Sequence, residues 1–482
     1  MVDASISERR KYGVHLTPSD VFDKFIFPEI EGVINKYLWI DLYAGEGNLI
    51  FPILDRVVWN DRIEFFRDHI FISDIQENMV NHCIGRALEY ELPEDIVRRN
   101  IVRRDNLKSF PLYVLDSKFP IYHITNPPYL YLGYIRKHKD MRSHLNYFGG
   151  NNRGYQDLYQ IAMVNDLRHN IHKMAYIIPS NFLFGNSVSN KIREDLFNLY
   201  NVVKAFIIED KIFEFTGMNV CICFFKRRQI RKMGKVEFTG TKIQKDGTSS
   251  TKIYQLLHKF KYRAGTKFFE FVDKYITKRT LEVSFYLKME EVKRHKGKEI
   301  ISVIDANDYD GKSYNQIDIE VSETLKNKIE NNGLYVRTID TGAVDGRIGL
   351  EGIEADFGVK GICVTSNTAR TQPIQLFFSP TLSEDDQWLL YNYFNILLEY
   401  LRKITDSDFL TTYKYSTGNY ARKYLGLTQV KAIIETFPIL SLTSRDKDAL
   451  KSMLLEQNIT GIIEILKKYM KKKINPITKW LS

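Results

Sequence analysis

The sequence predicts an α/β fold: a seven-stranded, mainly parallel sheet covered by helices, then a second domain of α+β character, then a C-terminal helical segment. Three observations predict it. Short apolar, β-branched runs alternate with helical patterns over about residues 36–226, the signature of parallel strands joined by crossover helices. A glycine-rich turn follows the first run, and acids recur at the ends of the next two. Beyond a basic stretch at 226–235 the pattern becomes irregular, with a glycine-rich piece at 341–347, and it closes on helical periodicity over about 446–470.

The expected strands are 38–43, 70–74, 100–104, 121–125, 174–178, 202–208 and 220–226. The basic stretch reads as a surface linker, so the expected domains are 1–235, 236–445 and 446–482. In the last of these, Leu450, Leu454, Ile462, Ile463, Leu466 and Tyr469 recur at helical spacing and are expected to pack. No internal repeat occurs.

A hydrophobic fraction of 44% with 27% charged residues is that of a globular chain rather than a disordered one. Lysine and arginine outnumber acids 69 to 59, which suits a phosphate-bearing partner without identifying one. No apolar run approaches the roughly 18 residues of a membrane helix, and the first twelve residues do not resemble a leader, so a cytoplasmic protein is expected. Cys83, Cys221, Cys223 and Cys363 lack metal-ligand spacing, and no metal is expected. Cys221 and Cys223 share one face of a strand and read as small buried hydrophobes.

The first motif, Asp41-Leu42-Tyr43-Ala44-Gly45-Glu46-Gly47-Asn48, sits between a strand and a helical pattern. Its glycines permit a tight turn and close approach to a ligand. Asp74 and Asp105 end the next two strands. In an open parallel sheet the strand ends face one crevice, so Asp41, Asp74 and Asp105 are expected to converge as acceptors suited to a ribose diol and an amino group.

The strongest motif is Asn126-Pro127-Pro128-Tyr129, after the fourth strand. Two prolines hold the backbone extended and remove two donors, leaving acceptors pointing outward. The Asn126 side-chain oxygen and the Pro127 carbonyl can accept both N–H bonds of an aromatic amine and draw it toward tetrahedral geometry. Tyr129 can then stack on the ring.

In this order the motifs resemble those of a gamma-class, TaqI-type DNA N6-adenine methyltransferase of a type II restriction-modification system, well over about 8–226 and more loosely over 405–440. The resemblance implies a Rossmann-like methyltransferase sheet, S-adenosyl-L-methionine as cofactor and double-stranded DNA as partner. It implies that residues 13–18, including Thr17 and Pro18, close over the methionine part of the cofactor. Asp41 and its motif residues Tyr43, Ala44, Gly45 and Gly47 would face its methionine end, Asp74 would hold its ribose hydroxyls and Asp105 its adenine amine, with Ile75 and Asn106 also in the cofactor site. Thr17 can also N-cap a helix with Pro18 at its first position.

Further matches are Asp157-Leu158-Tyr159 opening a helix, Ile177-Ile178-Pro179-Ser180 ending a strand, and Ile212-Phe213-Glu214-Phe215 before a hairpin-like 220–225. The resemblance assigns Phe213, with Phe215 as fallback, to stack with Tyr129 on an adenine flipped from the duplex. Residues 411–427 interleave aromatics, amides and cations. There Lys414, Arg422 and Lys423 suit phosphates, and Asn419 suits a base edge. N4-cytosine modification, and RNA or protein-glutamine methylation by the same motif, stand as alternatives. No Pro-Cys dipeptide occurs, which counts against cytosine-C5 chemistry. A monomer is expected, and a separate cognate restriction endonuclease is compatible with the reading.

Overall fold

The computed structural model describes residues 17–210, 212–213, 219–230, 234–340, 348–366, 373–405, 411–414 and 422–471. Residues 13–16, Phe215 and Asn419, and the side chains of Lys414 and Arg422, lie outside the description.

The chain forms two compact units, one of residues 1–264 with 412–421, the other of 265–411 with 422–482. The first is built on a sheet whose strands are β1 Leu38–Asp41, β2 Ile70–Asp74, β3 Ile101–Arg103, β4 Ile121–Thr125, β5 Lys173–Pro179, β6 Tyr200–Ile208, β7 Val220–Arg227, β8 Lys235–Ile243 and β9 Ser249–Leu257. Their spatial order is β3-β2-β1-β4-β5-β7-β6-β8-β9. The seven expected strands are all present, but the sheet has nine. The basic stretch 226–235 therefore joins two strands of one sheet rather than separating two domains.

Strands β1 to β5 run parallel, and β7 lies antiparallel between β5 and β6. Chain order reverses between β1 and β4, so their carboxyl ends open onto the crevice where doubly wound sheets bind ligands. Asp41 stands at the end of β1 and Asn126 just past the end of β4.

The central strands are apolar and β-branched because crossover helices bury them on both faces: every residue of β1, β2 and β4 is buried. Trp39 is fully buried, and its ring stacks on Tyr122 at 4.9 Å. Helix α1, Glu77–Glu89, follows β2, and helix α2, Leu158–Arg168, leads into β5. Asp157 stands at the N-cap of α2, where the sequence places the helix start.

The second unit has two four-stranded sheets. One runs Glu282–Phe285, Ile374–Ser379, Leu334–Arg337, Gly349–Gly352, and the other Leu287–Lys288, Gly361–Val364, Glu299–Tyr309, Tyr314–Val321. A long helix, Glu384–Thr405, buries Leu390, Tyr393, Leu397 and Leu401 in its core. The two C-terminal helices, Ser444–Leu455 and Ile459–Tyr469, add Leu450, Leu454, Ile462, Leu466 and Tyr469 to the same core, with Ile463 partly buried against it.

Candidate active site

The loop after β1 is built by its glycines and held by the strands beside it. Gly45 and Gly47 have φ of 54° and 75°. A Cβ at Gly47 would lie 2.5 Å from the Phe51 ring, so this position requires glycine twice over. The Gly45 amide donates to Asp74 Oδ2 at 2.9 Å and the Gln76 amide to Asp74 Oδ1 at 2.8 Å, so one carboxylate ties the loops after β1 and β2 together. Asp41 Oδ1 accepts from the Tyr43 amide at 3.0 Å and from Thr125 Oγ1 at 2.7 Å.

The Leu42 peptide is fixed at both ends. Its amide donates to His123 Nε2 at 3.3 Å, and its carbonyl accepts from Asn106 Nδ2 at 2.6 Å. Because Nε2 accepts, His123 carries its proton on Nδ1 and donates it to Asp166 Oδ2 at 2.6 Å. Tyr176 donates to the same oxygen.

Burial pushes Asp41 up to about 6 and raises Asp74 as well, in each case because a low-dielectric surround disfavours the anion. Asn106 is buried, and its Oδ1 has no hydrogen-bond partner. Asp41, Asp74 and Asn106 line one open cavity. Its lining includes Thr17, Asp41, Tyr43, Ala44, Gly45, Asp74, Ile75, Asp105, Asn106, Asn126 and Pro128, so most of the expected site residues come together. Pro18, Gly47, Pro127 and Tyr129 do not line it.

The cavity also takes in residues that carry no motif. His144 and Tyr147 reach it from the 3-10 stretch Lys139–Phe148, and the Tyr147 hydroxyl donates to Asp105 Oδ2 at 2.8 Å. Gln76 also lines it, two positions after Asp74, as does Asn48 of the first motif.

Thr17 does not cap a helix. The N-cap is Pro18 without a side-chain bond, and Thr17 Oγ1 instead accepts from Asn126 Nδ2 at 3.1 Å, while its carbonyl accepts from Asn48 Nδ2 at 2.9 Å. The segment before the sheet therefore touches both motifs. The competing acceptor outweighs the cap because it satisfies a partly buried amide.

Asn126 Oδ1 accepts from the Tyr129 hydroxyl, which also contacts the Ile177 carbonyl at 2.6 Å. Tyr129 and Phe213 are both buried, at 4% and 3% exposure, within the core of this unit. Neither ring stands open for stacking as placed.

In the second unit Lys423 is buried, and that burial pushes its ammonium down to about 7. It does not present the surface cation expected for phosphate contact, because its strand directs it inward. The short strand Thr411–Lys414 lies in the same stretch.

The N-6 DNA Methylase family matches over residues 70–324, and the chain belongs to this family. No curated protein matches it. Solved structures that it resembles include a type I restriction-modification methyltransferase subunit from Streptococcus thermophilus, at 15% identity over 47% of each chain with a TM-score of 0.32. The type I restriction enzyme EcoKI M protein matches at 14% identity over 46% of this chain and 50% of that one, TM-score 0.31. A nuclease-deletion mutant of the type ISP restriction-modification enzyme LlaGI, in complex with a DNA substrate mimic, matches at 12% identity over 61% and 30%, TM-score 0.39. The chain spans half or less of the length of each of these structures. Among the described residues no helix is long and apolar enough to cross a membrane.

Proposed function

We propose that the chain methylates the N6 amine of adenine in double-stranded DNA, using S-adenosyl-L-methionine. The observation that carries this reading is the placement of Asn126 and Pro128 on the wall of the acid-lined cavity, in a chain of the N-6 DNA Methylase family.

The cavity fits the cofactor. Asp74 and Asp105 offer acceptors for ribose hydroxyls and an adenine amine, the unpartnered Asn106 Oδ1 offers another, and Asp41 supplies negative charge at the β1 end. S-adenosyl-L-methionine, when bound, supplies a methyl group already activated on a positively charged sulfur.

The protein's own part is to present the amine. Asn126 Oδ1 and the Pro127 carbonyl accept its two N–H bonds and localise its lone pair. Tyr129 now donates to Asn126 Oδ1, but its hydroxyl has a second acceptor in the Ile177 carbonyl. An incoming amine can therefore take over the Asn126 oxygen without leaving a buried hydroxyl unpaired. An adenine inside a duplex cannot reach this wall, so the reading requires the base to be flipped, with Tyr129 and Phe213 assigned to stack on it. The second unit is assigned to DNA recognition, and a cognate endonuclease is an additional partner compatible with the reading.

Purified protein, tritiated S-adenosyl-L-methionine and unmethylated genomic DNA test it, with Asn126→Ala alongside. Label in N6-methyladenine that the variant loses supports the reading. Label in N4-methylcytosine overturns the base assignment, and cofactor binding without transfer to DNA overturns the substrate.

A further inference from the structure

The chain between Tyr129 and α2 has two faces. It comprises the helix Leu132–Lys137 and the 3-10 stretch Lys139–Phe148. Inward, Ile135, Met141 and Phe148 join the core, and His144 and Tyr147 wall the cavity. Outward, Arg136, Lys137, Lys139 and Arg142 are all exposed. The stretch 131–142 holds these four cations against one acid, Asp140, also exposed.

Elsewhere in this unit several exposed cations pair with carboxylates, Arg98 with Glu94, Arg103 with Glu77, Lys191 with Asp195 and Lys261 with Glu194, whereas scattered single ones such as Lys36, Lys108 and Arg153 do not among the described residues. None of the four cations in this stretch takes part in an ion pair among the described residues. Four like charges within seven positions, with Asp140 the one acid among them, repel one another. A polyanion laid across them would remove that repulsion and release its own counterions.

Their place favours that partner. The stretch leaves the motif two positions after Tyr129 and returns at His144 to the cavity that Asn126 also lines, so both its ends lie beside the proposed site of transfer. Two exposed rings, Tyr131 at 44% and Tyr134 at 43%, precede the cations in the stretch. Tyr131 is packed over Gly133, where a Cβ would lie 2.4 Å from the ring.

We infer that Arg136, Lys137, Lys139 and Arg142 form a phosphate clamp that grips the DNA backbone beside the target base. The inference rests on the proposed DNA substrate. It places a DNA-facing surface beside the catalytic motif.

The test compares the full-length wild type with the variant carrying Arg136→Gln, Lys137→Gln, Lys139→Gln and Arg142→Gln. Binding to an arbitrary-sequence duplex is followed by fluorescence anisotropy from about 50 to 200 mM salt. The clamp predicts that the log Kd against log salt slope flattens by roughly 0.9 for each phosphate that is no longer neutralised, up to about 3.6 in all. Affinity at the low-salt end should fall at least about 10-fold, with cofactor affinity and Tm unchanged. A second variant, Arg136→Lys with Arg142→Lys, keeps the charge and should keep the slope. A wild type that binds and methylates DNA while the glutamine variant shows the same slope overturns the clamp alone. A wild type that neither binds nor methylates DNA overturns the substrate reading beneath it.

Discussion

Tyr147 donates its hydroxyl to Asp105 Oδ2 at 2.8 Å, fastening the 3-10 stretch after the catalytic motif to the acid that follows β3. Asp105 Oδ1 accepts from the Lys108 amide at 3.2 Å, so both oxygens of this carboxylate are oriented, one by its own turn and one from 42 positions away.

Removing that hydroxyl should loosen Asp105 without changing charge. A hydrogen bond to a charged group contributes about 1.5 kcal/mol or more, so Tyr147→Phe is expected to weaken cofactor affinity about 10-fold. Titration calorimetry reads this directly. Rates at saturating cofactor should stay within about 2-fold. An unchanged affinity would show that Asp105 does not depend on Tyr147.

Asn126→Ala should separate binding from transfer. It removes one of the two acceptors proposed for the amine, so the transfer rate is expected to fall about 100-fold or more. Cofactor affinity should change by less than about 3-fold, since Asp74 and Asp105 remain. Single-turnover transfer together with cofactor binding decides the matter. A parallel loss of both would make Asn126 a structural residue instead.

Gly47→Ala should damage fold and site together. A side chain here meets the Phe51 ring at 2.5 Å and a φ of 75°. Left-handed strain of about 1–2 kcal/mol and overpacking of similar size predict a Tm lower by roughly 5 °C or more. Gly32→Ala, whose Cβ would meet nothing within 4 Å, is the control and should melt with the wild type. Equal melting of the two variants would count against the packing argument.

Asp157 predicts a pH-dependent stability. Burial pushes its carboxyl from 3.8 to about 7, and it accepts from the Leu130 amide at 2.9 Å. A pKa raised on folding means that its favourable contribution is complete below about pH 4 and is lost as pH rises through about 7. Asp157→Asn keeps an acceptor and removes the charge. Relative to wild type it should gain stability between about pH 4 and 8, by up to about 4 kcal/mol. Urea unfolding of both proteins across that range tests this, and a pH-independent difference would rule out the charge as the cause.

Local sequence was enough for the seven strands β1 to β7: β1, β2, β4, β5 and most of β7 are buried on both faces and written as continuous apolar runs, while β3 and the alternating β6 were legible from their β-branched residues. It was not enough for β8 and β9. In β8 buried and exposed residues alternate, and what joins it to the sheet is its register with β6, Thr239 beside Lys204 and Ile243 beside Ile208. That pairing depends on strand order, which no local pattern encodes.

The same division runs through the candidate site. Residue chemistry near each strand end determined that Asp41, Asp74, Asp105 and Asn126 would face one crevice: glycines that can turn, acids that can accept, prolines that hold a backbone open. Only the tertiary structure decided what each of them meets. Thr17 reaches Asn126 across 109 positions and Tyr147 reaches Asp105 across 42, while Tyr129, Phe213 and Lys423 turn inward. The reason is physical. Turn and strand preferences act between neighbours in sequence, whereas contacts between distant positions depend on the order in which the sheet brings its strands together.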